Sequence, residues 1–217
     1  GVRSINYFFD NYKKVQEGYL IKDYQQYLGE AYFFRALIYF NLLRSYGDIQ
    51  WFTTELGTSS PELYNPRDSR SVVADNIILA LDSAAMYLME DKTNGSARVN
   101  KWMALLIQSR VALYEGTWQK YHAGTAFGVS NSQPEKYFNK AVEAASKVME
   151  SNKYNIYSTG NPLTDFKDLF SQMNYSNNVE VMFWRNFVNE LIRGNWNNDR
   201  NYRMETPSGN SITKQLA

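Results

Sequence analysis

Ala31-Tyr-Phe-Phe-Arg-Ala-Leu-Ile-Tyr-Phe-Asn-Leu-Leu-Arg-Ser-Tyr46, closed by Gly47-Asp48-Ile49, is the stretch whose reading decides the fold. Placed on a helix, one row runs Tyr32, Ala36, Tyr39, Leu43, Tyr46 and a second runs Phe33, Leu37, Phe40, while Phe34 and Ile38 fill much of what remains. A helix apolar nearly all round is expected to be enclosed by neighbours rather than to lie on a surface. Arg44 in the last turn complements the helix dipole, and Gly47 can adopt the left-handed conformation that closes a helix. The stop is therefore encoded locally.

Outward from this segment the pattern stays helical. Ile5, Phe8, Phe9, Tyr12 and Val15 predict a helix over Ile5 to Glu17, ended by Gly18, and the central helix begins near Lys22. Residues 49 to 70 read as a loop, with Gly57, Pro61 and Pro66. Ser69 or Ser71 can cap the next helix, in which Val72, Val73, Ile77, Leu81, Ala84, Ala85 and Leu88 keep helical spacing. After a polar turn at Asp91 to Ser96 come a helix through Trp118 and another over Pro134 to Ser151. Helix, glycine turn and alanine-spaced helix is the grammar of a degenerate tetratricopeptide repeat, interrupted by a longer insertion at Tyr121 to Gln133. Asp165 to Met173 predicts a short amphipathic helix through Phe166, Leu169 and Phe170, and Val179 to Trp184 is the best strand candidate. The expected architecture is all-α: tetratricopeptide-like helix pairs with long irregular loops and minor β, in a single domain over 1–217.

Composition narrows the function. The 217 residues carry 23 basic against 22 acidic side chains, a net charge of +1, with no dense basic run, which excludes an evident nucleic-acid footprint. Cysteine is absent, removing disulfides, thiolate zinc sites and thiol catalysis together. His122 is the only histidine and has no motif around it, so a solvated or locally hydrogen-bonded loop residue is expected. Carboxylate pairs such as Asp10 with Glu17 or Glu62 with Asp68 are the raw material of a glycosidase, but nothing in the sequence places either pair in one cleft. No cofactor and no metal site are indicated. Aromatics make up 16%, including 17 tyrosines and 5 tryptophans, and rings with a flat apolar face and a polar edge can stack on sugars while hydrogen-bonding hydroxyls.

The ordered landmarks resemble the SusD/RagB family of surface glycan-binding lipoproteins. Ala31 to Phe52 is similar to the family's "A-x-x-[FY]-R-A-x-x-Y-F-x-L-x-R-x-[FY]-G-D-[VI]-P", with Gln50 at the proline position. Ser71 to Leu88 resembles its "Y-x-x-I-x-x-D-L-x-x-A-x-x-x-L" helix, with Ala74 or Asp75 at the tyrosine position. Ala97 to Trp118 follows "G-R-x-T-K-x-A-A-x-A-L-L-A-R-V-Y-L-Y-x-G-x-W" through Ser109-Arg110-Val111, Leu113-Tyr114, Gly116 and Trp118. Val179 to Trp184 resembles "S-E-[IV]-I-F-E", and Thr213 to Ala217 the entry to the family's C-terminal subdomain. The resemblance implies an oligosaccharide or polysaccharide ligand and a TonB-dependent, SusC-like outer-membrane transporter as partner. It also implies an outer-membrane, surface-exposed location, reached through an N-terminal lipid. The chain is then expected to be a fragment lacking the signal and lipidation segment and the C-terminal subdomain.

Most helical aromatics are expected in the core, and Trp51 and Trp118 in packing roles. The candidate ligand site is the Asn-rich stretch from Asn186 to Arg203, where Trp196 and Tyr202 offer stacking faces beside Asn195, Asn197 and Arg200. The expected function is glycan binding without catalysis. Two alternatives stay open: a helical-repeat interaction scaffold without a small ligand, and a glycoside hydrolase.

Overall fold

A computed structural model describes residues 1–15, 18–91, 98–172 and 174–184. The chain divides into two units, Gly1–Phe183 and Trp184–Ala217, and the account below concerns the first. Its elements are α1 (Val2–Asn11), a 3-10 turn at Tyr12–Val15, α2 (Ile21–Tyr46), a second 3-10 turn at Pro61–Tyr64, α3 (Arg70–Tyr87), α4 (Lys101–Tyr121), α5 (Pro134–Glu150) and the short α6 (Asp165–Phe170). From α1 to α5 each helix packs on the next, the nearest-neighbour stacking of a helical repeat.

Local chemistry sets the boundaries. Asp23 accepts the Leu20 N–H at the start of α2, Ser69 accepts the Val72 N–H at the start of α3, and Asn100 accepts the Met103 N–H at the start of α4. At the end of α2, Gly47 has φ 71°, a region unfavourable to any residue with a Cβ, and its N–H returns to the Leu43 carbonyl. Two glycines fix close helix approach. A Cβ on Gly29 would lie 2.9 Å from the Leu88 backbone nitrogen, and one on Gly116 would lie 2.8 Å from the Phe138 ring.

The core is formed by Phe33, Ala36, Tyr39, Phe40 and Leu43 of α2 against Val73, Ile77, Leu81 and Ala84 of α3, with Val111 and Ala112 of α4 behind them. Three expectations are corrected. The central helix is not enclosed all round: Phe34 is 39% exposed, Asn41 and Ser45 share that outer edge, and Tyr46 is exposed at the end. The chain supplies no neighbour there among the described residues. The first helix turns 3-10 after Asn11, and its buried residue is Asn6 rather than the apolar stripe, which is only partly covered. The α6 stripe faces outward, with Phe166 and Phe170 exposed and packed on each other.

The strand candidate at 179–184 does not form a strand. A strand needs a partner ladder, and here the contacts are an Asn155 N–H donated to the Val179 carbonyl and a Tyr157 N–H donated to the Glu180 carboxylate. Among the described residues the β content is one isolated bridge, Ile49 with Asp68.

A buried polar hub joins three helices. Arg70 Nε donates to Glu115 Oε2 at 2.8 Å, with the two side chains 4% and 0% exposed. The Arg70 guanidinium lies 4.1 Å from the Trp118 ring centroid, and its backbone N–H donates to Asp48 of the Gly-Asp turn. Glu115 also accepts from Gln119 Nε2 at 2.9 Å. Desolvation pushes the Glu115 carboxyl above the ordinary carboxylate range, against the pull of Arg70 and Gln119.

Removing one partner of such a pair strands a buried charge, so Arg70→Met or Glu115→Leu alone should each cost about 3–5 kcal/mol in denaturant unfolding. The double variant should recover most of that loss; additive losses would contradict the hub. Gly29→Ala should cost about 1–3 kcal/mol, because the Leu88 backbone must shift; an unchanged unfolding midpoint would contradict the close approach.

Candidate functional site

The loop after the Gly-Asp turn is held along its length by side chains of α1 and α2. Tyr39 OH accepts the Phe52 N–H at 2.8 Å, while Arg35 and Asn6 donate to the Phe52 carbonyl at 2.9 and 3.1 Å. Asn6 also donates to the Thr54 carbonyl at 2.8 Å, and the Arg35 guanidinium lies between the Phe9 and Trp51 rings. Gln50, which replaces the proline of the family pattern, donates to the carbonyls of Leu63 and Asn65 and so latches the two ends of the loop. Trp51 packs on Tyr39 at 4.0 Å, the expected structural role.

The catalytic candidates have structural partners. Asp10 accepts the Glu55 N–H, and Asp68 accepts the Trp51 N–H. Glu62 sits on the exposed Pro61–Tyr64 turn, and Glu17 lies outside the described residues. His122 closes α4, with Nδ1 3.0 Å from the Trp118 carbonyl and its ring stacked on Trp118 at 3.9 Å. Trp118 donates its indole N–H to the Phe127 carbonyl, again a structural task.

Away from that loop, further concavities lie among the described residues. Between α3 and α5 a groove of about 370 Å³ is lined by Asp75, Lys136, Tyr137, Lys140 and Glu143. Its charges are internally matched: Lys136 with Asp75 at 2.7 Å, and Lys140 with Asp82 at 3.0 Å. A wider hollow of about 740 Å³ beside α6 is apolar, lined by Met103, Leu106, Met149, Ile156 and Phe170 among others. The third, about 470 Å³, runs between α1 and the start of α2 and is walled by Tyr7, Phe8, Tyr12, Tyr19, Tyr24 and Tyr27, with Asn11 and Asp23 as polar members. Its volume lies in the range of about 300–1,000 Å³ typical of small-molecule sites. Its wall of tyrosine rings makes it a candidate ligand surface.

The predicted ligand residues Asn195, Trp196, Asn197, Arg200 and Tyr202 lie outside the described residues, so the groove and that stretch are separate candidates. The tyrosine groove escapes sequence reasoning because Tyr7 and Tyr27 sit on helices whose aromatics were assigned to the core. Its signal is the density of tyrosine: 5 of the chain's 17 fall at 7, 12, 19, 24 and 27. The hub was also missed. Its signal is that Gln108, Glu115 and Gln119 interrupt the inward positions Leu105 and Ala112 of α4, and all five are buried.

With this geometry in view, the backbone was compared with solved structures. It matches a SusD-like protein from Bacteroides fragilis with a TM-score of 0.67 at 20% identity, over 86% of this chain and 32% of that one. A SusD-like carbohydrate-binding protein from the same species gives 0.66 at 17% identity, over 87% and 32%. The chain has the SusD-like fold. A third match, a structure described as with xylogluco-oligosaccharide, gives 0.59 at 24% identity, over 84% and 32%. The chain therefore spans about a third of the length of these SusD-like structures. No protein-family model and no curated protein matches the sequence.

Burial and the neighbouring Asp75 charge push the Tyr137 hydroxyl above its ordinary value, and burial does the same to Tyr39. Tyrosines raised in the folded state contribute stability that is whole below their unfolded value of 10.0 and is lost as pH rises through the folded value. The urea midpoint should thus be flat through neutral pH and fall above about pH 10. Tyr137→Phe should flatten that decline; an unchanged alkaline slope would contradict the assignment.

Proposed function

We propose that this chain is part of a SusD/RagB-family protein that captures an oligosaccharide at the surface of a Gram-negative cell. The captured glycan passes to a TonB-dependent, SusC-like transporter in the outer membrane, where the binding protein is held by an N-terminal lipid. The observation that carries this reading is that the family landmarks do architectural work in a SusD-like fold. Arg35 and Tyr39 pin the loop, Gly47 and Asp48 turn α2 onto α3, and Gly116 and Trp118 seat α4 on α5 and on Arg70. A chance match of motif letters has no reason to place each landmark at a tertiary junction.

Solved proteins of this fold described as carbohydrate-binding, or as with xylogluco-oligosaccharide, support a glycan as the ligand class. A binding role rather than hydrolysis is supported by Asp10 and Asp68, one member of each candidate pair, whose carboxylates are engaged by backbone N–H groups. The stretch carrying Trp196, Tyr202, Asn195, Asn197 and Arg200 is proposed as a ligand-contacting segment on the chemistry of its residues.

Affinity electrophoresis in polysaccharide gels, paired with chain-length analysis of recovered glycan, checks this reading. Retardation with no shortening of the glycan is expected, and shortened product would favour a hydrolase instead. Trp196→Ala should weaken retardation; full binding in that variant would remove the 195–202 segment from the site.

A further inference from the structure

We propose that the tyrosine groove between α1 and the start of α2 is a glycan subsite. This rests on the glycan-binding reading above and adds to it a location. Three features converge there.

The first is surplus exposure of rings. Tyr7 is 56% exposed, Tyr19 63% and Tyr27 54%, whereas Tyr39 and Tyr137 of the core are at 1% and 2%. A tyrosine ring stacks on the C–H face of a pyranose while its hydroxyl reaches the sugar's hydroxyls.

The second is that the rings are set before any ligand arrives. Phe8 and Tyr12 stack at 6.0 Å and 17°, and Tyr12 meets Tyr24 at 6.4 Å. Tyr27 is backed by the Arg98 guanidinium, 4.7 Å from its centroid, itself fixed by two hydrogen bonds to Glu30 at 2.7 and 2.8 Å. A rigid wall of this kind loses little freedom on binding.

The third is hydrogen-bonding capacity. The lining includes one carboxylate, Asp23, and one amide, Asn11. Asp23 uses Oδ2 for the Leu20 N–H, and the Asn11 amide donates to the Tyr7 carbonyl while its Oδ1 accepts from Lys14 Nζ. Oδ1 of Asp23 and the second amide hydrogen of Asn11 then form an acceptor and a donor suited to hydroxyls.

Titration calorimetry of the full chain against a panel of oligosaccharides tests this, using the wild type and the Tyr7→Ala/Tyr19→Ala variant, whose fold is checked by circular dichroism. Both tyrosines are solvent-facing, so the variant should fold normally. The variant should bind the oligosaccharide that the wild type binds about tenfold or more weakly, as expected for losing two ring contacts. Equal affinity in wild type and variant would overturn the subsite and leave the family reading standing. No oligosaccharide binding by the wild type would overturn both.

Discussion

The structure hangs on one buried ion pair. Arg70 enters the protein at the first residue of α3 and Glu115 lies on the inner face of α4, so their contact fixes the relative position of these two consecutive helices. The same Arg70 residue ties α3 to the Gly47-Asp48 turn through its backbone N–H and presents its guanidinium to Trp118. Because both charges are dry, neither can be left without the other. The pair therefore specifies how the repeat closes, and the loop pinned by Asn6, Arg35 and Tyr39 starts from that fixed corner.

A division of labour follows. Inside, two buried amides are matched to other side chains and to backbone groups: Gln108 donates to the Ile78 carbonyl and to Asp82, and Gln119 bridges Glu115 and Ser71. Outside, the groove between α3 and α5 is filled by its own salt bridges. The tyrosine groove differs in leaving Tyr7, Tyr19 and Tyr27 exposed.

How much was legible in the sequence depended on whether the signal was local. The central helix was expected from near Lys22 to Tyr46 and spans Ile21–Tyr46, because its start and its glycine stop are written in neighbouring residues. Ser69 as a cap and His122 as a locally bonded histidine were legible for the same reason. Non-local features were not. The strand candidate at 179–184 has β-branched and aromatic residues but no ladder partner among the described residues, and strand identity belongs to the pair. The outer edge of α2 at Phe34 looked buried because apolarity alone does not report which neighbours arrive. The tyrosine groove is assembled from α1, a 3-10 turn and α2, so no single window of sequence contains it.

If the proposed subsite is correct, the exposed tyrosine faces stack on sugar rings, and saturation-transfer difference NMR that irradiates the tyrosine ring protons in the presence of a bound oligosaccharide reads that contact. Saturation should reach the C–H protons on one face of the bound sugar rings, as stacking requires. A sugar that binds without receiving saturation from aromatic protons, or that receives none at all, would contradict it.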